Sequence, residues 1–152
     1  MRLFSPAFGN GEYIPIKYTC DGENISPPLL FLDPPSEAES FALLVDDPDA
    51  PGGLFTHWIV YDIPAEFEGL PEDLPPAPEL EYGIKQGVND FGRIGYGGPC
   101  PPPGRPHRYF FVVFALSVPT LGLPAGADRQ EFLRALEGKV IDQDELVGLY
   151  GR

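Results

Sequence analysis

Apolar residues along this chain fall into short runs broken by proline and glycine, and their commonest spacing is two. In Phe41–Asp47, residues Phe41, Leu43, Val45 and Asp47 share one face of an extended chain, with Ala42, Leu44 and Asp46 on the other. Phe55–Ile63 repeats the pattern, with Phe55, His57, Ile59 and Tyr61 on one face and Thr56, Trp58, Val60 and Asp62 opposite. Tyr109–Val118 is apolar almost throughout, which predicts a central strand covered on both faces. Leu29–Leu32 is a shorter run of the same kind, and Ile14–Tyr18 fits a short extended stretch. One segment has helical spacing. Asp128 followed by Glu131 offers a capping box, Phe132, Leu133 and Leu136 form an apolar stripe, and Gly138 offers a stop, so a single helix is predicted over about 128–138. Leu146–Tyr150 reads equally as a strand or a helical turn. Glu66–Gln86 is acidic, proline-rich and without period, and is expected to run over the surface.

With one helix among many short strands, the expected class is mainly β, and 152 residues suit a single domain spanning 1–152. Glycine (18) and proline (20) make up a quarter of the chain, but they punctuate apolar runs rather than form a low-complexity tract. Charge narrows the partners. Ten basic against 23 acidic residues leave a formal charge of −13, which repels nucleic acid and anionic membrane surfaces at long range. No apolar run is long enough to span a bilayer as a helix, so stable membrane insertion is not expected. Met1–Asn10 has no leader-like apolar region, which together with two cysteines read as reduced thiols gives a cytoplasmic expectation. Cys20 and Cys100 could also pair.

Three segments hold the unusual polar residues. Asp46–Gly53 (DDPDAPGG) invites a calcium reading, but an EF-hand loop begun at Asp47 would put Pro51 at its fifth position and Trp58 at its twelfth, where oxygen ligands are required. The second segment is Thr56-His57-Trp58. A histidine between apolar neighbours reads equally as a buried neutral imidazole satisfied by a backbone carbonyl. The third runs from Gly95 to Tyr109, where His107 and Tyr109 share a face at the start of a strand. His57 and His107 are the only histidines, each beside a turn and near a carboxylate or a tyrosine. Imidazole N–H, phenolic O–H and backbone N–H of glycine turns are the donors that a phosphate or carboxylate needs, and a nearby aspartate would orient one imidazole.

These segments resemble the two signature regions of the phosphatidylethanolamine-binding (Raf kinase inhibitor) family. Asp47-Pro48-Asp49-Ala50-Pro51 with His57-Trp58 matches the first, and Gly97 through His107-Arg108-Tyr109 the second. Ser5-Pro6-Ala7-Phe8, Tyr18-Thr19-Cys20-Asp21-Gly22, Ser26-Pro27-Pro28-Leu29, Asn89-Asp90-Phe91-Gly92 and Leu146-Val147-Gly148 look like its short prokaryotic branch. The resemblance implies an antiparallel β-sandwich with a pocket at one edge, lined by Asp47, His57, His107 and Tyr109, with Gly97 and Pro101 shaping the wall. It also implies a cis bond at Ala50–Pro51, and phosphate or phosphorylated head groups as ligands.

The expected function is therefore a non-catalytic binding module for a small anionic or phosphorylated ligand, with no cofactor. A protein partner, such as a kinase or protease engaged through the pocket rim, is the second reading, and a homodimer is left open. A cysteine hydrolase built on Cys100 and His107 ranks lower, because Cys100 sits between prolines with no helix end to activate it. A metal held by Asp47, His57 and His107 ranks below the anion, since Tyr109 and the glycine turns suit an anion better.

Overall fold

The computed structural model describes the whole chain, Met1–Arg152. Its elements are β1 (Arg2–Phe4), β2 (Leu29–Leu32), β3 (Ser40–Asp47), β4 (Phe55–Pro64), β5 (Gly69–Leu70), β6 (Lys85–Gln86), β7 (His107–Leu116), α1 (Arg129–Leu136) and β8 (Val140–Tyr150). Two antiparallel sheets form, one of three strands in the order β1-β2-β5 and one of five in the order β6-β4-β3-β7-β8. The class is mainly β, as the period-two runs require.

The large sheet is covered on both sides. One face packs Phe41, Val45, Trp58 and Phe111 against Leu3 and Phe31 of the small sheet. The other packs Leu44, Ile59, Tyr61 and Phe114 under Phe132 and Leu136 of α1. That helix starts as its sequence predicts: the Asp128 carboxylate accepts from Glu131 N at 2.8 Å, and Glu131 accepts from Asp128 N at 3.0 Å. Gly138 ends it in the left-handed region, at φ 75°.

Strand order alone brings the chemistry together. Because β3 runs antiparallel to both β4 and β7, its C-terminal end lies beside their N-terminal ends, with Asp47 opposite Phe55 and Asp46 opposite both Thr56 and Phe110. The ladder contains a bulge here. Val45 faces Trp58 and Asp46 faces Thr56, so His57 is the extra residue. Strict alternation, which placed His57 with Ile59 and Tyr61, therefore fails: the bulge turns His57 onto the Trp58 side, while Ile59 and Tyr61 pack under the helix.

Four other expectations are corrected. Ile16–Tyr18 is a 3-10 turn rather than an extended stretch. β7 begins two residues earlier than its apolar run and ends at Leu116, and alternate residues Arg108, Phe110 and Val112 in its first half are not fully buried. No cis peptide bond is present, so Ala50–Pro51 is trans. Cys20 and Cys100 form a disulfide, with Cα atoms 5.4 Å apart. The Cys20 N–H donates to Pro99 O at 3.1 Å, which holds the two loops side by side. With both sulfurs bonded, the reduced-thiol argument for a cytoplasmic setting falls away.

The disulfide clips a loop on the Ile16–Asn24 side to the proline run on the other, across a sequence separation of 80 residues. Replacing both cysteines by serine is expected to lower stability by about 2–4 kcal/mol, read as a drop in the denaturant midpoint, with a slope that rises because the unfolded chain loses its cross-link and exposes more surface. A double variant as stable as the parent would show that neighbouring hydrogen bonds hold the loops by themselves.

Candidate functional site

Asp47, His57, His107 and Tyr109 meet at this edge of the large sheet. They line one hollow of about 150 Å³ with Ala50, Pro51, Phe55, Phe91, Cys100, Pro101 and Pro102. Cavities of roughly this size accept a guest as large as benzene, so the hollow has room for a head group but not for a lipid.

Each imidazole is fixed through one nitrogen. His57 Nδ1 lies 2.6 Å from the Gly97 carbonyl, and because a carbonyl only accepts, Nδ1 carries the proton. His107 Nδ1 lies 2.7 Å from Asp47 Oδ2, and the ionised carboxylate likewise accepts. The second oxygen, Asp47 Oδ1, accepts from Asp49 N at 2.7 Å. Neither Nε2 hydrogen-bonds to the protein, nor does Tyr109 Oη. No buried side-chain nitrogen or oxygen is left without a partner, so these three atoms reach solvent, and they do so through the hollow.

The walls are aromatic. The His57 ring sits 4.9 Å from Phe55, 5.5 Å from Phe91 and 5.2 Å from Tyr109, measured between centroids. Burial among these rings pushes the His57 pKa below its ordinary value, against the Gly97 hydrogen bond and the Asp47 charge, which raise it. His57 is thus neutral at pH 7, with Nε2 presenting a lone pair. Burial pushes the Tyr109 phenol upwards, helped by Asp47, so it keeps its proton. At the rim, Arg108 grips Asp49 through Nε at 2.9 Å, Nη2 at 2.8 Å and its own backbone N–H at 2.9 Å. The guanidinium holds the Asp49 carboxyl down at about 2. Behind the site, Asp46 accepts from Thr56 Oγ1 and from Arg129 of α1.

Two predicted wall residues act differently from each other. Pro101 lines the hollow directly. Gly97 stands behind it, and its N–H is not available to a ligand because it donates to His57 O at 2.9 Å. The Gly98 N–H is likewise consumed, by Asn24 Oδ1. What Gly97 supplies is its carbonyl for His57 and its missing side chain, since a Cβ there would stand 2.4 Å from Phe91 Cδ2. Phe91, which closes the wall, lies in a turn without periodic signal and was missed as a site residue. Its neighbour Asn89 gives a partial clue, because the Asn89 side chain accepts from Phe91 N and Arg93 N and donates to Gly95 O.

The thiolate that a Cys100/His107 hydrolase needs is absent, since Cys100 is bonded to Cys20. No three His, Cys, Asp or Glu side chains converge to hold a metal ion. No helix is long and apolar enough to cross a membrane.

Comparison with known proteins agrees with this architecture. The family model for phosphatidylethanolamine-binding protein matches residues 4–151. The UPF0098 protein of Aquifex aeolicus is 58% identical over all of this chain and 89% of its own length, and that of Methanothermobacter thermautotrophicus is 50% identical over 100% and 99%. Among solved structures, a phosphatidylethanolamine-binding protein homologue from Chlamydia trachomatis superposes with a TM-score of 0.90 at 42% identity, covering 99% of this chain and 97% of that one. Escherichia coli YbcL, described as a member of the mammalian family, gives 0.92 at 34% identity, covering 99% and 98%. The chain belongs to the phosphatidylethanolamine-binding protein family.

Two outcomes follow from the geometry. In the free protein, the His57 ring protons followed by NMR should titrate below the usual value near 6.5, because burial disfavours the imidazolium. The unfolded chain then binds the extra proton first, so this group's contribution to stability is complete above about pH 6.5 and is lost as pH falls towards the folded value. A His57 titration at or above 6.5 would contradict the burial argument. Gly97→Ala should cost about 1–3 kcal/mol in a denaturant melt, because Phe91 must move to admit the methyl group.

Proposed function

We propose that the hollow is the binding site of a small anion, such as phosphate or a phosphorylated head group, and that the protein is a binding module rather than a catalyst. The observation that carries this reading is the pair of imidazoles, each fixed at Nδ1 and each presenting Nε2 to the same hollow beside the Tyr109 hydroxyl. Tyr109 donates as it stands. A neutral His57 accepts at Nε2, so an anion is held most strongly when that nitrogen takes up a proton, or when the ligand brings an acidic P–O–H to it. Binding is therefore coupled to protonation. The aromatic wall of Phe55 and Phe91 excludes water around these donors and strengthens the hydrogen bonds they make. Both Asp47 oxygens accept N–H donors of the protein, which damps the repulsion of this carboxylate for a ligand without abolishing it.

Calorimetric titration with phosphate, phosphoethanolamine, nucleotides and sulfate tests the proposal. Sulfate does not change charge between pH 6 and 8, so its response isolates the proton taken up by the protein. Affinity should rise as pH falls through this range, with proton uptake visible as a dependence on buffer ionisation heat. His57→Ala and His107→Ala should each weaken binding by about 10-fold or more, the worth of one charge-assisted hydrogen bond. An absence of binding at millimolar anion would overturn the reading, and so would affinity that falls on acidification.

A further inference from the structure

The segment between β4 and β6 shares no residue with the anion pocket, and it is tightly built. Gln86 Nε2 donates to the Pro75 and Ala77 carbonyls at 2.8 and 2.9 Å, and Gln86 N donates to Pro78 O at 2.9 Å. Asp73 N and Leu74 N are held by the Ser26 carbonyl and hydroxyl. Leu80 N closes the turn on Ile84 O at 2.8 Å. These bonds keep open a hollow of about 260 Å³, whose apolar walls are Phe67, Leu70, Leu74, Leu80, Tyr82 and Ile84.

Tyr82 stands at its lip. The residue is 73% exposed and has a φ of 64°, a left-handed backbone that costs energy for anything but glycine. Its ring meets Phe67 edge-on, with centroids 5.4 Å apart. A large aromatic ring is thus held in strain over an apolar hollow and left facing solvent.

The charges carried by this segment have one sign. From Ala65 to Ile84 there are six carboxylates, Glu66, Glu68, Glu72, Asp73, Glu79 and Glu81, and no lysine, arginine or histidine. Only Glu72 has a cationic partner, Lys17 at 2.8 Å. Lys85, the next cation along the chain, is committed to Asp62 at 2.7 Å. The other five carboxylates of the segment enter no ion pair, and Glu81 belongs to the lining itself.

We propose that this hollow is a second binding site, and that it takes a segment of a partner protein in which a bulky apolar side chain is flanked by lysine or arginine. The apolar side chain fills the hollow against Phe67, Leu74 and Tyr82, and the flanking cations meet the unpaired carboxylates. The volume suits one or two side chains rather than a drug-sized molecule, whose pockets run from about 300 to 1,000 Å³. The walls are preformed, so little ordering is paid on binding. A second copy of this chain is a poor occupant, because at −13 it would bring acidic surface against acidic surface. An anionic membrane is repelled for the same reason.

Fluorescence anisotropy tests this with a labelled peptide carrying a central Leu-Trp pair flanked by lysines. One control peptide replaces the apolar pair by serines, and another replaces the lysines by glutamates. The lysine peptide should bind in the micromolar range, and each control at least about tenfold more weakly. Raising NaCl from about 0.05 to 0.5 M should weaken binding severalfold, since the attraction is between exposed charges. Tyr82→Asn, which tolerates the left-handed backbone, and Glu79→Gln with Glu81→Gln should each weaken it by a similar factor, while thermal melts and phosphate binding stay unchanged. Equal binding of the serine peptide would overturn the proposal, as would no binding at about 1 mM peptide or indifference to Tyr82→Asn. A dimer in sedimentation velocity that the same variants dissolve would assign the face to a second copy, and would overturn it too.

Discussion

Everything at the sheet edge depends on where two imidazole protons go. Gly97 O takes one from His57 and Asp47 Oδ2 takes the other from His107, at 2.6 and 2.7 Å. Once both Nδ1 atoms are occupied by acceptors of fixed position, the rings cannot flip without stranding a buried partner, and both Nε2 atoms are left to the hollow. The two acceptors come from distant parts of the chain: a loop carbonyl before β7 and the last side chain of β3. The clamp therefore exists only in the assembled sheet. Folding and site formation are one event.

A chain with a charge of −13 is an unlikely scaffold for an anion site unless its negative groups are neutralised locally, and several are. Asp47 keeps its charge, but its two oxygens are turned onto the His107 ring and the Asp49 backbone N–H. Asp49 is covered by Arg108, and Asp46 by Arg129 and Thr56. Salt screens the distant carboxylates within about 8 Å under physiological conditions. Along the segment between β4 and β6, by contrast, five of six carboxylates enter no ion pair, so that face and the pocket rim differ in electrostatic character.

Much of this was legible in the sequence, and the failures have physical causes. Period two located β3 and β4, continuous apolar runs located β2 and β7, the capping box located α1, and the resemblance to two family signature regions pointed to Asp47, His57, His107 and Tyr109, four residues that the structure brings together. Face assignment failed at His57, because a bulge is a property of the pairing with β3 and leaves no mark on β4 alone. The Cys20–Cys100 bond was not chosen over free thiols, because it depends on two loops brought together by tertiary hydrogen bonds, Cys20 N to Pro99 O, Gly98 N to Asn24 Oδ1 and Tyr96 Oη to Tyr18 O. The N–H groups of the glycine turns were read as ligand donors, yet the Gly97 N–H faces His57 O and its carbonyl holds the His57 ring. Phe91 sits in a turn where no periodicity exists to expose it. What local pattern controls was readable, and what tertiary contact decides was not.

The most direct measurement is a crystal structure grown in the presence of phosphate. The account expects ordered density in the hollow, with oxygens within about 3 Å of His57 Nε2, His107 Nε2 and Tyr109 Oη, and both Nδ1 bonds unchanged. Density elsewhere with an empty hollow, or imidazoles turned so that Nδ1 faces the ligand, would contradict it.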